Sequence, residues 1–339
     1  LSDCGVNSKL LLWLRSFLVN RSQYVRIQDQ ESLPRSVDSG VIQGSVLGST
    51  FFVMFIEPLL RRLKTKSLAY IDDIKLIGDL SVFTHADIQE DVSTIFQWSE
   101  DNNMPIAVLK SNVLHLGGSN PHHQYVCGGQ LLSAVNEVKD LGVTHSNTGR
   151  YSDHIASVSQ KARRLVGMTL RSIRSRKPQL MWPVFSTYIK PVMTYASHVW
   201  SPDLRHDVIL LEAVQRRFTK RIEGLRQLQY GERLRTLKAL SLESTCIETD
   251  MILTYKIMHG LMNINLNDVG IHMCVNSTRA AGIRLQHMRP KNNIAAARFK
   301  FRVPPIWNSL PVVIVQSKSL STFQHLLHSY LMDFDYVMY

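Results

Sequence analysis

Apolar and polar positions follow two different rhythms along the chain. Up to about residue 147, short apolar runs are punctuated by turn residues. Leu68-Ala69-Tyr70-Ile71 and Ile74-Lys75-Leu76-Ile77 flank Asp72-Asp73, and both flanks are too short for good helices, so this stretch predicts strand, turn, strand. Between Tyr125 and Val143, strand-like pieces surround Gly128-Gly129. Lys9 to Val19 has helical apolar content, and Phe51 to Ile56 predicts a buried helix entered from a glycine-rich loop. Beyond Tyr151 the rhythm is helical. Ile155, Val158, Ala162, Leu165, Thr169 and Ile173 recur at three- and four-residue spacing, with Asp153 as N-cap and Pro178 as stop. A second helix is expected over Val208 to Ile222, striped by Leu211, Val214, Phe218 and Ile222. The polar cluster Asn147-Thr148-Gly149-Arg150 marks a joint. The expectation is an α+β chain: an antiparallel sheet with helices over 1–147, a helical region over 148–230 and a mostly helical, basic region over 231–339.

The acidic pair at 72 and 73 carries the chemistry. Adjacent carboxylates repel unless a cation compensates them, and hard divalent ions such as Mg²⁺ prefer carboxylate and phosphate oxygens. Nucleotidyl transfer uses such a pair, one ion activating the attacking 3′-hydroxyl and a second stabilising the leaving pyrophosphate. Taken alone, Asp-Asp in a turn is more often a solvated turn. Upstream, Gly40, Gly44 and Gly48 fall within the loop Gly40–Ser49 that leads into the apolar helix. Glycines let backbone approach a bulky partner, and a helix start offers N–H groups to anions; an ordinary glycine-rich turn is the plainer reading of the loop by itself.

The two segments together resemble consecutive palm motifs of reverse transcriptases, specifically those of non-LTR retrotransposons (LINEs) of the jockey and chicken-repeat kind. The resemblance runs in order through Asn20 to Val25, Gly40 to Leu59, Tyr70 to Asp73, Lys110 to Gly117, Lys139 to Val143, Tyr188 to Pro202, Val214 to Arg217, Leu240 to Glu243 and Trp307 to Pro311. Ordered agreement over many motifs is specific where any one is weak. It implies a partial polymerase palm over 1–147, a thumb-like region over 148–230 and the basic C-terminal region after it. It implies Asp72 as metal ligand with Asp73 beside it, Gln43 and Gly44 facing the nascent base pair, and Lys110 approaching the triphosphate. It further implies Mg²⁺ or Mn²⁺, an RNA template, a DNA primer and deoxynucleotide triphosphates, in an intracellular setting, nuclear or cytoplasmic. The chain departs from the family at Ile42 and Ser49, where proline is usual, and at Ala107, where asparagine is usual. The palm's first aspartate lies upstream of this region, and Asp3 offers no substitute. The resemblance therefore leads us to expect a fragment that is inactive alone, or a non-catalytic nucleic-acid-binding remnant.

Charge agrees with that partner. With 39 Lys and Arg against 27 Asp and Glu, the formal net charge is +12. Lys161, Arg163, Arg164, Arg171, Arg174, Arg176 and Lys177 fall in one stretch without an acid between them, as on a thumb helix laid along a duplex backbone; a solvated basic face is the bland alternative. Arg216, Arg217, Lys220 and Arg221 lie beside the second stripe, and Arg279 to Arg302 is a third basic region whose aromatics, with Trp307, are expected to pack rather than stack on bases. The four cysteines lack the spacing of a zinc ribbon or disulfide framework, and His122-His123 reads as a surface loop. Met181 to Val199 is broken by Pro183, Lys190, Pro191 and His198, against a membrane span. The oligomeric state is not legible.

Overall fold

The computed structural model describes residues 5–274 and 283–338; Leu1, Asp3, Cys4 and the start of the third basic region, including Arg279, lie outside the described residues. The chain divides into two compact units, Leu1–Val113 with Ser119–Ala134, and Leu114–Gly118 with Val135–Tyr339. The architecture is α+β, and strand pairing among the described residues is confined to two-stranded ladders rather than one continuous sheet. The strands are only two to five residues long.

In the first unit, α1 (Ser8–Leu18) is capped by the Asn7 side chain, which accepts from the Lys9 N–H at 2.8 Å. Strands β1 (Arg21–Gln23) and β4 (Arg35–Val37) pair antiparallel, and β2 (Arg26–Ile27) pairs with β3 (Gln30–Glu31). Helix α2 (Val46–Leu60) starts at Ser45, whose hydroxyl accepts from Gly48 N at 3.0 Å. It is not the buried helix its composition predicts. Only Gly48, Ile56 and Leu59 are buried, while Val53, Met54 and Phe55 face solvent, because its neighbours in the unit cover one narrow stripe. The hairpin β5 (Lys66–Tyr70) and β6 (Asp73–Ile77) follows, then α3 (His85–Asp101), which opens with a Thr84/Asp87 capping box. The short strands β7 (Asn112–Leu114), β8 (Val126–Cys127), β9 (Gln130–Leu131) and β10 (Ser133–Val135) come next. Gly128 and Gly129, both at positive φ, make the β8–β9 turn.

The second unit opens with the hairpin β11 (Glu137–Asp140) and β12 (Val143–Ser146), turned by Leu141 and Gly142 at positive φ. Helices α4 (Ser152–Ser172), α5 (Pro178–Val184), α6 (Lys190–Thr194), α7 (Ser197–Trp200), α8 (Arg205–Thr219), α9 (Tyr230–Leu237) and α10 (Leu242–Met258) follow. A π-helical turn at Phe185–Ile189 lies between α5 and α6, next to Pro191, which has no N–H to continue a regular ladder. After these come α11 (Asn293–Ala296), α12 (Phe299–Ser309), α13 (Val312–Val315) and α14 (Leu320–Met338). One core gathers Ile155, Ala162, Val166, Phe185, Trp200, Val214 and Phe218; another gathers Met251, Tyr255, Val303, Trp307, Phe323 and Leu327. Trp307 is 1% exposed, so in this region packing wins over base stacking.

The ends of the basic helices differ from their expected positions. Tyr151, not Asp153, is the N-cap of α4, and Asp153 sits in the first turn, where a carboxylate favours the helix dipole. Pro178 does not stop this helix, which already ends at Ser172; it opens α5, where its missing N–H costs nothing. The α8 stripe is as expected but its helix is Arg205–Thr219, three residues earlier than predicted at each end.

Candidate functional site

The β5–β6 hairpin pairs in full register from Lys66 opposite Ile77 to Tyr70 opposite Asp73. Two residues remain for the turn, Ile71 and Asp72. Asp72 therefore stands at the tip and Asp73 opens β6, both exposed, so the turn falls one residue earlier than the expected Asp72-Asp73. Ile71 has φ +55°, a left-handed backbone that a β-branched residue adopts only under strain. The turn holds this conformation immediately before the acidic pair.

The hairpin is fastened at its base to α3. Just before β5, Lys64 N and Thr65 N each donate to the Asp91 carboxylate at 2.8 Å, and the Thr65 hydroxyl donates to it at 2.7 Å. Asp91 is 1% exposed. Just after β6, Gly78 sits so close to Ile88 that an added Cβ would lie 2.3 Å from its Cδ1. Ile88 and Asp91 are three residues apart and share one face of α3. Outside that clasp, Lys64 Nζ reaches Asp87 at 3.3 Å and Glu90 at 2.6 Å in an exposed group worth little. Nothing local marks Asp91 in the sequence, where it is one acid among several on a polar helix.

The other expected site residues occupy separate places. Gln43 and Gly44 are exposed in the loop before α2, where Gly44 has φ +78° and Gly40 φ +77°. Close approach belongs instead to Gly48, whose added Cβ would meet the Ile42 carbonyl at 2.9 Å. Lys110 ends a 3₁₀ turn at Val108–Lys110, with its side chain exposed. In the second unit, Lys161, Arg163, Arg164 and Arg171 are exposed on α4. At 100° per residue, Lys161, Arg164 and Arg171 fall within about 80° of one another, opposite the buried Ile155, Ala162, Val166 and Thr169, with Arg163 to the side. Arg174 and Lys177 lie exposed beyond the helix end. Arg176 turns back on α4, its guanidinium donating to the carbonyls of Leu170 at 2.6 Å, Ile173, and Ser175 at 3.2 Å. It thus satisfies carbonyls at the helix C-terminus.

Among the described residues, no group of three or more His, Cys, Asp or Glu side chains could hold a metal ion. The two adjacent carboxylates are nonetheless the hard oxygen donors that Mg²⁺ takes when substrate phosphates and water complete its shell. Cys127, Cys246 and Cys274 are free, and His123 stacks on His85 at 4.3 Å. No helix is long and apolar enough to cross a membrane among the described residues.

Residues 1–145 match the family described as reverse transcriptase (RNA-dependent DNA polymerase). The RNA-directed DNA polymerase from mobile element jockey of Drosophila melanogaster is 23% identical over 230 residues, covering 64% of this chain and 25% of the relative. The putative 115 kDa protein in type-1 retrotransposable element R1DM of Drosophila melanogaster is 25% identical over 225 residues, covering 64% and 21%. The probable RNA-directed DNA polymerase from transposon BS of the same organism is 23% identical over 226 residues, covering 62% and 25%. The chain spans about a quarter of the length of the curated relatives it matches. No solved structure matches it. The hairpin presenting Asp72-Asp73 lies inside the stretch that matches the reverse transcriptase (RNA-dependent DNA polymerase) family, and this match together with the relatives from jockey and R1 elements supports a LINE-type reverse transcriptase.

Proposed function

We propose that this chain supplies part of the palm and a thumb-like helix of a retrotransposon RNA-directed DNA polymerase, which extends a DNA primer on an RNA template. The observation that carries the reading is the two-residue turn that sets Asp72 and Asp73 side by side at an exposed hairpin tip, inside the stretch that matches the family. In this reading Asp72 holds a divalent cation and Asp73 adds charge beside it. Mg²⁺ or Mn²⁺, when bound, would supply the positive charge that nucleotidyl transfer needs. Gln43 and Gly44 border the nascent base pair, their loop kept open by positive φ at Gly40 and Gly44. Lys110 offers its ammonium to the triphosphate.

Primer extension on an RNA template with deoxynucleotide triphosphates tests it. If the chain catalyses alone, contrary to the expectation for a fragment, wild type extends the primer with Mg²⁺ or Mn²⁺ and Asp72→Asn loses at least 100-fold, roughly the scale of removing a key electrostatic group. Absence of extension by wild type with both metals would overturn catalysis by this chain. A second reading, nucleic-acid binding without synthesis, is favoured by the Lys161, Arg164 and Arg171 strip opposite the buried face of α4.

A further inference from the structure

We infer that Asp91, together with the Gly78–Ile88 contact, is the positioning device of the acidic hairpin. The inference rests on the reading that the tip binds a divalent cation. A two-stranded hairpin is marginal on its own. Burial gives this one only partial support, since Leu68, Tyr70, Ile71 and Ile77 are exposed and Ile74 and Leu76 are half-buried. The firmest fastening is at the base. Entry to β5 is fixed by three hydrogen bonds to one buried carboxylate, and exit from β6 by a glycine pressed on Ile88 of the same helix face.

Leverage gives the base its importance. At about 3.4 Å per residue the tip stands roughly 20 Å from Thr65, so a 10° tilt there moves Asp72 by about 3.5 Å. A functional constellation tolerates only about 0.5 Å. Two fastenings on one helix face suppress both tilt and twist, whereas Lys64 Nζ, half exposed in its pairs with Asp87 and Glu90, adds little stiffness. Asp91 carries charge-assisted hydrogen bonds to two consecutive backbone N–H groups, a short, directional contact that no apolar residue could replace.

The test combines Mn²⁺ affinity, followed by electron paramagnetic resonance, with amide hydrogen exchange over residues 64–77. Asp91→Ala should weaken Mn²⁺ binding by about tenfold or more, the usual effect of removing an outer-shell support. It should also speed exchange in β5 and β6 while α3 and the β8–β9 turn keep wild-type protection. Gly78→Ala should do the same, because its new methyl would press on Ile88 and displace the exit of β6 from the helix face. Glu90→Ala, in the exposed pair with Lys64, should leave affinity within about twofold. Wild-type affinity in Asp91→Ala would overturn the inference, and so would loss of protection across the whole first unit, because the role would then be general folding. Wild-type affinity in Asp72→Asn would instead overturn the metal reading itself.

Discussion

His154 shows how one buried side chain couples fold and pH. It is 3% exposed, its Nδ1 accepts from the Thr144 N–H at 3.2 Å, and its ring meets Trp200 edge-on at 5.2 Å. Only the neutral ring can accept that bond. Burial first, then the charges of His145 and Lys139, push its pKa down from 6.5 to about 4. The folded value lies below the unfolded one, so between them the unfolded chain binds a proton that the folded chain refuses. Stability contributed by this site is present above about pH 6.5 and is lost as pH falls toward 4, by about 3 kcal/mol over the whole range. Urea midpoints at pH 7 and pH 5 should therefore separate in wild type and converge in His154→Asn, whose carbonyl can still take the Thr144 bond. Equal separation in both proteins would remove His154 from the account. Glu212 belongs to the same class of hidden polar residue. Buried on α8, it accepts from the Tyr230 hydroxyl and from Leu242 N and Glu243 N, the first free donors of α10. Burial raises its pKa, while these bonds oppose the rise. Neither residue announces itself in the sequence, because a lone His or Glu on an amphipathic helix looks solvated until its tertiary neighbours are known.

At the scale of elements, what was legible depended on how local the cause was. The acidic hairpin and the Gly128-Gly129 turn are set by residues within a few positions of each other; the second forms where the pattern predicts and the first with its turn one residue earlier, at Ile71-Asp72. The stripe on α8 likewise buries Leu211, Val214 and Phe218. The end of α4 was not legible, since Pro178 signals equally a stop or a start, and the choice depends on Arg176 folding back onto carbonyls six residues away or nearer. That fold-back also changes the basic strip. Lys161, Arg164 and Arg171 span ten residues, about 15 Å of helix, long enough to meet successive phosphates along one strand. Arg176 is committed to the helix end. Neutralising the three exposed residues should therefore lower the slope of log affinity against log salt by about 2.7 for duplex RNA–DNA probes. Arg176→Ala should change that slope by less than about 1 and instead destabilise the second unit by about 1–2 kcal/mol, the usual scale of a lost cap. An unchanged slope in the triple variant would exclude α4 as the nucleic-acid face.

Across the whole molecule, apolar burial is unevenly shared. The described hydrophobic side chains buried in the first unit are Leu14, Ile56, Leu59, Tyr125 and Cys127, whereas the second unit contains both of the cores described above. Charge, composition and motif order foresaw an α+β chain with a helical second part, but not this imbalance, because apolar content in α2 says nothing of whether a neighbour covers it. Burial supplies roughly 25 cal/mol per Å² of apolar surface, so the unit that buries less must open more readily. Trp13, Val53, Phe55 and Tyr70 are all exposed, and the ring contacts of Trp13 with Phe17 at 5.9 Å and of Phe55 with Trp98 at 5.3 Å leave them so. Proteolysis under native conditions tracks the population of open forms when closing is fast. Trypsin finds Lys and Arg in both units, so cleavage order reports opening rather than site availability. Digestion of the 339-residue chain should first cut within residues 5–134 and accumulate a resistant fragment beginning near Val135. A long RNA–DNA duplex with Mn²⁺ should slow those first cuts if the acidic hairpin engages the polymer, since a ligand that binds only the folded form stabilises it by mass action. First cuts in α4 or α10, ahead of any in the first unit, would show that the deep cores of the second unit do not confer the greater local stability argued from their burial.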